Sequence, residues 1–253
     1  GNDSAFGTGG TLSLLSGTLS AAATRTLGNA VSLDGNTTIA GAGALTFSNA
    51  VTLTGSRTLT VSATATTTFG GALGESVASA NFTKAGTGNL LFTAGSTYTG
   101  TTTISAGTLA LGSSGSLSSA NLVFSGGVLA PPARLGFSRT LGTGSGQVRW
   151  NTGGGFAAYG GALTIGFTGT ETWGDANFVP AGQALILGST IANNVVTWNT
   201  GFSLGTAART ITVNDNAGTT ADFAVISGVI SGDVGGALVK NGTGTLVLAA
   251  NNT

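Results

Sequence analysis

Apolar residues in the first third of the chain come in pairs separated by one polar position: Leu12 and Leu14, Val31 and Leu33, Leu45 and Phe47, Val51 and Leu53, Leu59 and Val61. Alternation by two puts both members of a pair on one face of a β-strand. These strands are short, about four or five residues. Between them lie glycine-centred corners such as Asp34-Gly35-Asn36 and Gly41-Ala42-Gly43. Residues 29–39 read Asn-Ala-Val-Ser-Leu-Asp-Gly-Asn-Thr-Thr-Ile, and residues 49–59 read Asn-Ala-Val-Thr-Leu-Thr-Gly-Ser-Arg-Thr-Leu. A strand, a Gly turn and a second strand thus return after about 20 residues, which predicts a solenoid of three short strands per coil. Each coil leaves one face that only the next coil can cover.

A second periodic block spans residues 148–213. Trp150, Trp173 and Trp198 recur, followed by Phe156, Phe178 and Phe202, and then by the aliphatic pairs Leu163/Ile165, Leu185/Leu187 and Ile211/Val213. Coils of about 24 residues would stack like on like at the strand spacing of about 4.8 Å. No stretch shows the three-and-four spacing of an amphipathic helix. An antiparallel sandwich also has short strands at regular spacing, but it does not require residues to match at 20 or 24. The expectation is an all-β chain, a parallel β-helix over 1–253 with roughly 20–25 residues per coil. That length gives about 11 or 12 coils and about 55 Å.

Composition narrows the classes. Of 253 residues, 45 are Gly and 41 % are hydrophobic, while the eight basic and eight acidic residues cancel. The apolar share is too high for disorder and the β-branched content favours strands. Zero net charge argues against nucleic acid, which is held by clustered Lys and Arg, and equally against anionic membrane surfaces. Cys, Met and His are all missing, so thiol chemistry, imidazole bases and the commonest transition-metal ligands go together. Gly1-Asn2-Asp3-Ser4 has no basic start or apolar core of a signal peptide, and no apolar run approaches the roughly 20 residues of a membrane helix. No membrane insertion is expected.

Residues 82–112 carry Phe-Thr-Lys-Ala-Gly-Thr-Gly-Asn-Leu-Leu-Phe, then Ser-Thr-Tyr-Thr-Gly-Thr-Thr-Thr-Ile, then Ala-Gly-Thr-Leu-Ala-Leu-Gly. Lys84, Gly86, Gly88, Tyr98, Gly100, Ile104, Gly107, Leu109 and Leu111 in this order resemble the autotransporter-associated β-strand repeat of bacterial passenger domains. The resembling element covers 82–130. Leu-Val-Lys-Asn-Gly-Thr-Gly-Thr-Leu-Val-Leu within 238–253 restarts it, and residues 1–20 match its tail. The resemblance implies a right-handed parallel β-helix, exported and displayed outside a bacterial cell as stalk, adhesin or fibre. It also implies that the period runs past both ends, as in a window of a longer array or a subunit continuing into its neighbour.

Enzymes exist on β-helices, so the carboxylates need weighing. Glycoside hydrolysis needs two of them about 5–10 Å apart, and the candidates are Glu75, Glu171, Asp175, Asp215, Asp222 and Asp233. Asp215-Asn216 and Asp222 are near enough to share one face of a coil, although short-range bonds to their own backbone are the commoner use of such residues. Arg25, Arg57, Arg139 and Arg209 each precede Thr and then Leu or Ile, which reads as a solvated corner opening a strand. The Trp and Phe series is the better ligand candidate: buried it fills the coil, exposed it would offer sugar rings a flat platform.

The resulting expectation is a structural module of an extracellular bacterial fibre or stalk, secreted or at the cell surface, partnering itself end to end. It has no catalytic residue, cofactor or metal. The alternative is an adhesin that binds glycan or another cell surface through Trp150, Trp173, Trp198, Phe156, Phe178 and Phe202 on a side face.

Overall fold

The computed structural model describes residues 6–7, 9–112, 116–132, 137 and 139–253. Residues 1–5, 8 and 113–115, which the expected repeat copies at 1–20 and 82–130 include, lie outside the described residues. Among the described residues there is no helix, and the paired strands run parallel. The protein is a parallel β-solenoid of about ten turns. Its backbone forms two compact units, Gly1–Asn121 and Leu122–Thr253.

In the first unit, four successive turns carry three strands each. These are β1 (Thr11–Leu14), β2 (Thr18–Ser20) and β3 (Arg25–Leu27); β4 (Ala30–Leu33), β5 (Thr37–Ala40) and β6 (Leu45–Phe47); β7 (Val51–Leu53), β8 (Arg57–Val61) and β9 (Thr67–Phe69); and β10 (Leu73–Glu75), β11 (Phe82–Ala85) and β12 (Asn89–Phe92). A further turn supplies β13 (Thr102–Ile104) and β14 (Thr108–Leu111). Three faces result, β1-β4-β7-β10, β2-β5-β8-β11-β13 and β3-β6-β9-β12-β14. The 20-residue sequence echo is the register itself: Val31 lies opposite Val51 and Leu33 opposite Leu53. Inward positions are buried and the intervening Ser and Thr face out, so each covered Val, Leu or Phe contributes about 1.5–3 kcal/mol.

One interior column of this unit is aromatic. Leu27, Phe47, Phe69, Phe92 and Leu111 follow one another in register. Phe69 and Phe92 are stacked with centroids 5.4 Å apart, and Phe47 meets Phe69 edge-on at 5.7 Å.

The second unit holds β15 (Leu122–Phe124), β16 (Val128–Ala130), β17 (Thr140–Leu141), β18 (Gln147–Trp150), β19 (Gly154–Phe156), β20 (Leu163–Ile165) and β21 (Glu171–Thr172). It continues with β22 (Ala184–Leu187), β23 (Val196–Trp198), β24 (Phe202–Ser203), β25 (Ala208–Val213), β26 (Ala224–Ile226) and β27 (Ile230–Ser231), and closes with β28 (Ala237–Asn241) and β29 (Leu246–Leu248). Its ladders are β16-β19-β22-β25-β28, β20-β23-β26-β29, β21-β24-β27 and β15-β18-β17.

Turns here are longer than the expected 20–25 residues. Gly154 is opposite Leu185, and Leu163 is opposite Val196, steps of 31 and 33 positions. Later steps shorten to 28 from Val196 to Ala224 and 22 from Ala224 to Leu246. The added residues form the loops between β19 and β20, β21 and β22, and β22 and β23. That is why the expected 11 or 12 coils are about ten.

Candidate functional site

The expected tryptophan ladder does not form in register. Trp150 lies on β18, Trp173 follows β21 and Trp198 closes β23, three strands of three different sheets. Trp150 is opposite Phe124, and Trp198 is opposite Ile165 and Ile226. The spacings of 23 and 25 match no turn of this unit, so the recurrence carries each indole to a different side of the coil. The rings nevertheless converge, because Phe178 touches all three tryptophans, with centroids 5.5 Å from Trp150, 5.8 Å from Trp173 and 5.7 Å from Trp198. Phe202 packs on Trp173, and Phe156 on Trp150 and Trp198.

All six rings are buried and present no face to solvent. Trp150 Nε1 donates to Gly154 O at 2.9 Å, whereas the indole N–H groups of Trp173 and Trp198 have no hydrogen-bond partner.

The carboxylates are scattered. Asp215 and Asp222 do share a lining, with Thr219, Thr220 and Thr245, around a cavity of about 350 Å³. Asp222 is buried there and accepts the Asn216 backbone N–H at 2.6 Å. Glu75 accepts from Ala80 N–H and the Thr99 hydroxyl, and the Thr99 bond holds its carboxyl below the ordinary range. Glu171 is raised by burial and then by neighbouring Asp175. Asp233 is exposed. Among the described residues no cluster of three His, Cys, Asp or Glu could hold a metal ion.

The arginines serve their own corners. Arg57 donates to Leu33 O and Ser56 O, Arg25 to Thr24 O, Arg209 to Leu204 O and Arg139 to Gln147 O.

The site that the side-chain chemistry singles out is a corner built twice. Between β11 and β12 the chain turns through Ala85-Gly86-Thr87-Gly88, and between β28 and β29 through Gly242-Thr243-Gly244. Gly86 has φ +74° and Gly242 φ +75°, the left-handed conformation that favours glycine. A Cβ on either would fall 2.4 or 2.3 Å from a carbonyl of the turn below, Val61 O or Val213 O. Two positions on, Gly88 N–H donates to Val61 O at 2.8 Å and Gly244 N–H to Val213 O at 2.9 Å. The corners are therefore alike on the side of the preceding turn.

They differ on the other side. Lys84 is fully buried, and its Nζ donates to Ala85 O at 3.0 Å, Gly86 O at 2.8 Å and, from the following turn, Ala106 O at 3.1 Å. Burial pushes its amine down to about 7. Lys240 is exposed and donates to Asn241 O at 3.3 Å and Gly242 O at 2.7 Å. Phe82, Leu90 and Phe92 are buried, whereas Leu238 and Leu246 at the matching places are half-buried and Leu248 is 46 % exposed. Beside them Val239 and Val247 are exposed as well.

These two corners lie in the stretches that match a known family model, residues 82–111 and 238–253. The chain carries the passenger-associated-transport-repeat. The match takes in the two stretches with the fullest sequence resemblance and leaves residues 1–20 and 112–130 outside. The matched stretches are similar to a repeat associated with autotransporter passengers, a class of secreted or cell-surface protein, and they lie in a parallel β-solenoid. No curated protein and no solved structure matches the chain.

Sequence reasoning had placed Lys84 in the repeat signature without giving it a role, and had given Lys240 none. The available signal was that these are the chain's two lysines, each followed two positions later by Gly-Thr-Gly.

Proposed function

We propose that the protein is a structural module of an extracellular bacterial fibre or surface stalk, in which parallel turns stack end to end. The observation that carries this is that two stretches similar to a passenger-associated repeat lie in a solenoid whose strands stack in parallel register. Parallel strand edges with unpaired backbone groups and apolar side chains are templates for another strand. A solenoid gains stability from each added interface.

The role is non-catalytic in this reading. Its support is that Asp222 is engaged by its own loop, and that the six rings of the Trp and Phe series lie in the interior.

Sedimentation over a rising concentration series tests the stacking. The expected result is a mass that climbs with concentration and that falls back to one chain when Val239 and Val247 are both changed to Lys, since edge lysines block strand addition. A wild-type chain that stays monodisperse at high concentration would contradict stacking between separate copies.

A further inference from the structure

Buried charges in proteins are paired or coordinate metals, and Asp222 has no charged partner among the described residues. Its side chain is 3 % exposed. Oδ2 accepts the Asn216 backbone N–H at 2.6 Å, which is the carboxylate's one hydrogen bond among the described residues. Oδ1 is left without a donor, on the wall of the cavity of about 350 Å³. The carboxylate of Asp215 lines the same cavity with neither a hydrogen bond nor an ion pair among the described residues. Two negative charges thus face one space, and no Lys or Arg is in its lining.

The remaining polar side chains of the lining are neutral hydroxyls, those of Thr219, Thr220 and Thr245. Thr245 comes from the following turn, where its carbonyl accepts the Ala224 N–H at 2.9 Å. The cavity therefore lies between two turns of the chain. The loop that carries both carboxylates, between β25 and β26, is tied to the preceding turn, because Asn216 Nδ2 donates to Ala192 O at 2.7 Å. Asn216 Oδ1 also accepts the Gly218 N–H at 3.1 Å. Asp215 and Asp222 are held at the two ends of this loop before any ligand arrives.

We infer that this cavity is a calcium site with Asp215 and Asp222 as its carboxylate ligands. Calcium takes about six to eight oxygens in flexible geometry, carboxylates together with neutral oxygens and water, so two carboxylates serve where a third is absent. The cavity has room for coordinated waters, each of which occupies about 30 Å³. Magnesium demands near-ideal octahedral geometry and gives up its waters reluctantly, and two side chains at the ends of a loop set no such geometry. The bound cation balances the buried Asp222 charge and joins both ends of the loop at one point. This site is independent of the stalk reading and stands or falls without it.

The probe is calcium chloride, titrated calorimetrically into the intact chain after a chelator has removed divalent cations. The expected result is one saturable site with a Kd of about 0.1–1 mM, the range in which extracellular modules hold calcium, and magnesium chloride binding at least about tenfold more weakly. Asp222→Asn keeps an acceptor for the Asn216 N–H and weakens calcium at least about tenfold. Asp215→Asn, at an exposed position, leaves the circular dichroism unchanged and weakens calcium as much, so the outcome does not hang on the folding of the buried variant. Asp233→Asn, an exposed carboxylate outside the cavity, binds calcium as wild type does. Saturating calcium raises the Tm of the wild type and not that of Asp215→Asn. No saturable binding up to about 10 mM, tenfold above that range, magnesium binding as tight as calcium, or an affinity unchanged in Asp215→Asn overturns the inference.

Discussion

Lys84 and Lys240 stand at the same glycine corner of two repeat copies, one amine held by three carbonyls and the other by two. What separates them is a following turn. A solenoid has no single nucleus of burial, so a similar local sequence is buried at Lys84 and exposed at Lys240.

Lys84→Met leaves Ala85 O, Gly86 O and Ala106 O without this donor and is expected to destabilise the fold by about 1–3 kcal/mol. The pH dependence follows from the lowered amine. Below about 7 the folded and unfolded chains both hold the proton; between about 7 and the ordinary 10.5 only the unfolded chain does. Stability therefore rises with pH across that window through this residue, and is flat below it. Denaturant melts of wild type and Lys84→Met from pH 6 to 10 check this: the difference between the two should carry the slope.

Gly86→Ala is expected to cost more than about 2 kcal/mol, because the left-handed conformation alone costs a side chain about 1–2 kcal/mol. The new Cβ would also press on Val61 O. A thermal melt close to that of wild type would contradict the strained-corner description.

Trp150 and Trp198 are both buried, yet the first donates to Gly154 O and the second has no acceptor. Trp150→Phe should cost about 1 kcal/mol more than Trp198→Phe, since it also strips a buried carbonyl of its donor. In the wild type the indole emission should be blue-shifted and resist iodide; emission at the fully solvated maximum would contradict the packing of all three rings.

Phe69 lies between Phe47 and Phe92 in one column. Phe69→Ala should cost about 3–5 kcal/mol, and more than Phe6→Ala, whose ring is exposed.

The first unit was legible in the sequence because its turns are short and nearly equal. Val31 and Val51 read as equivalent and are paired. In the second unit the same logic misplaced the tryptophans, because loops between β19 and β23 stretch the steps to 31 and 33 positions and a spacing of 23 or 25 changes sheet. The aromatic column that does stack, Phe47-Phe69-Phe92, has spacings of 22 and 23 and was hidden among similar strand residues. Lys84 was unreadable as a buried group, since its burial depends on Ala106, a residue in another turn.

The stalk reading holds that parallel turns stack end to end in the native assembly. Electron microscopy of the native surface assembly tests it most directly, at a resolution that separates strands. The account predicts β-density continuing past β28 and β29 at the strand spacing of about 4.8 Å, with Lys240 buried beneath it. A discrete particle in which β28 and β29 face solvent, or are closed by an unrelated capping element, would contradict it.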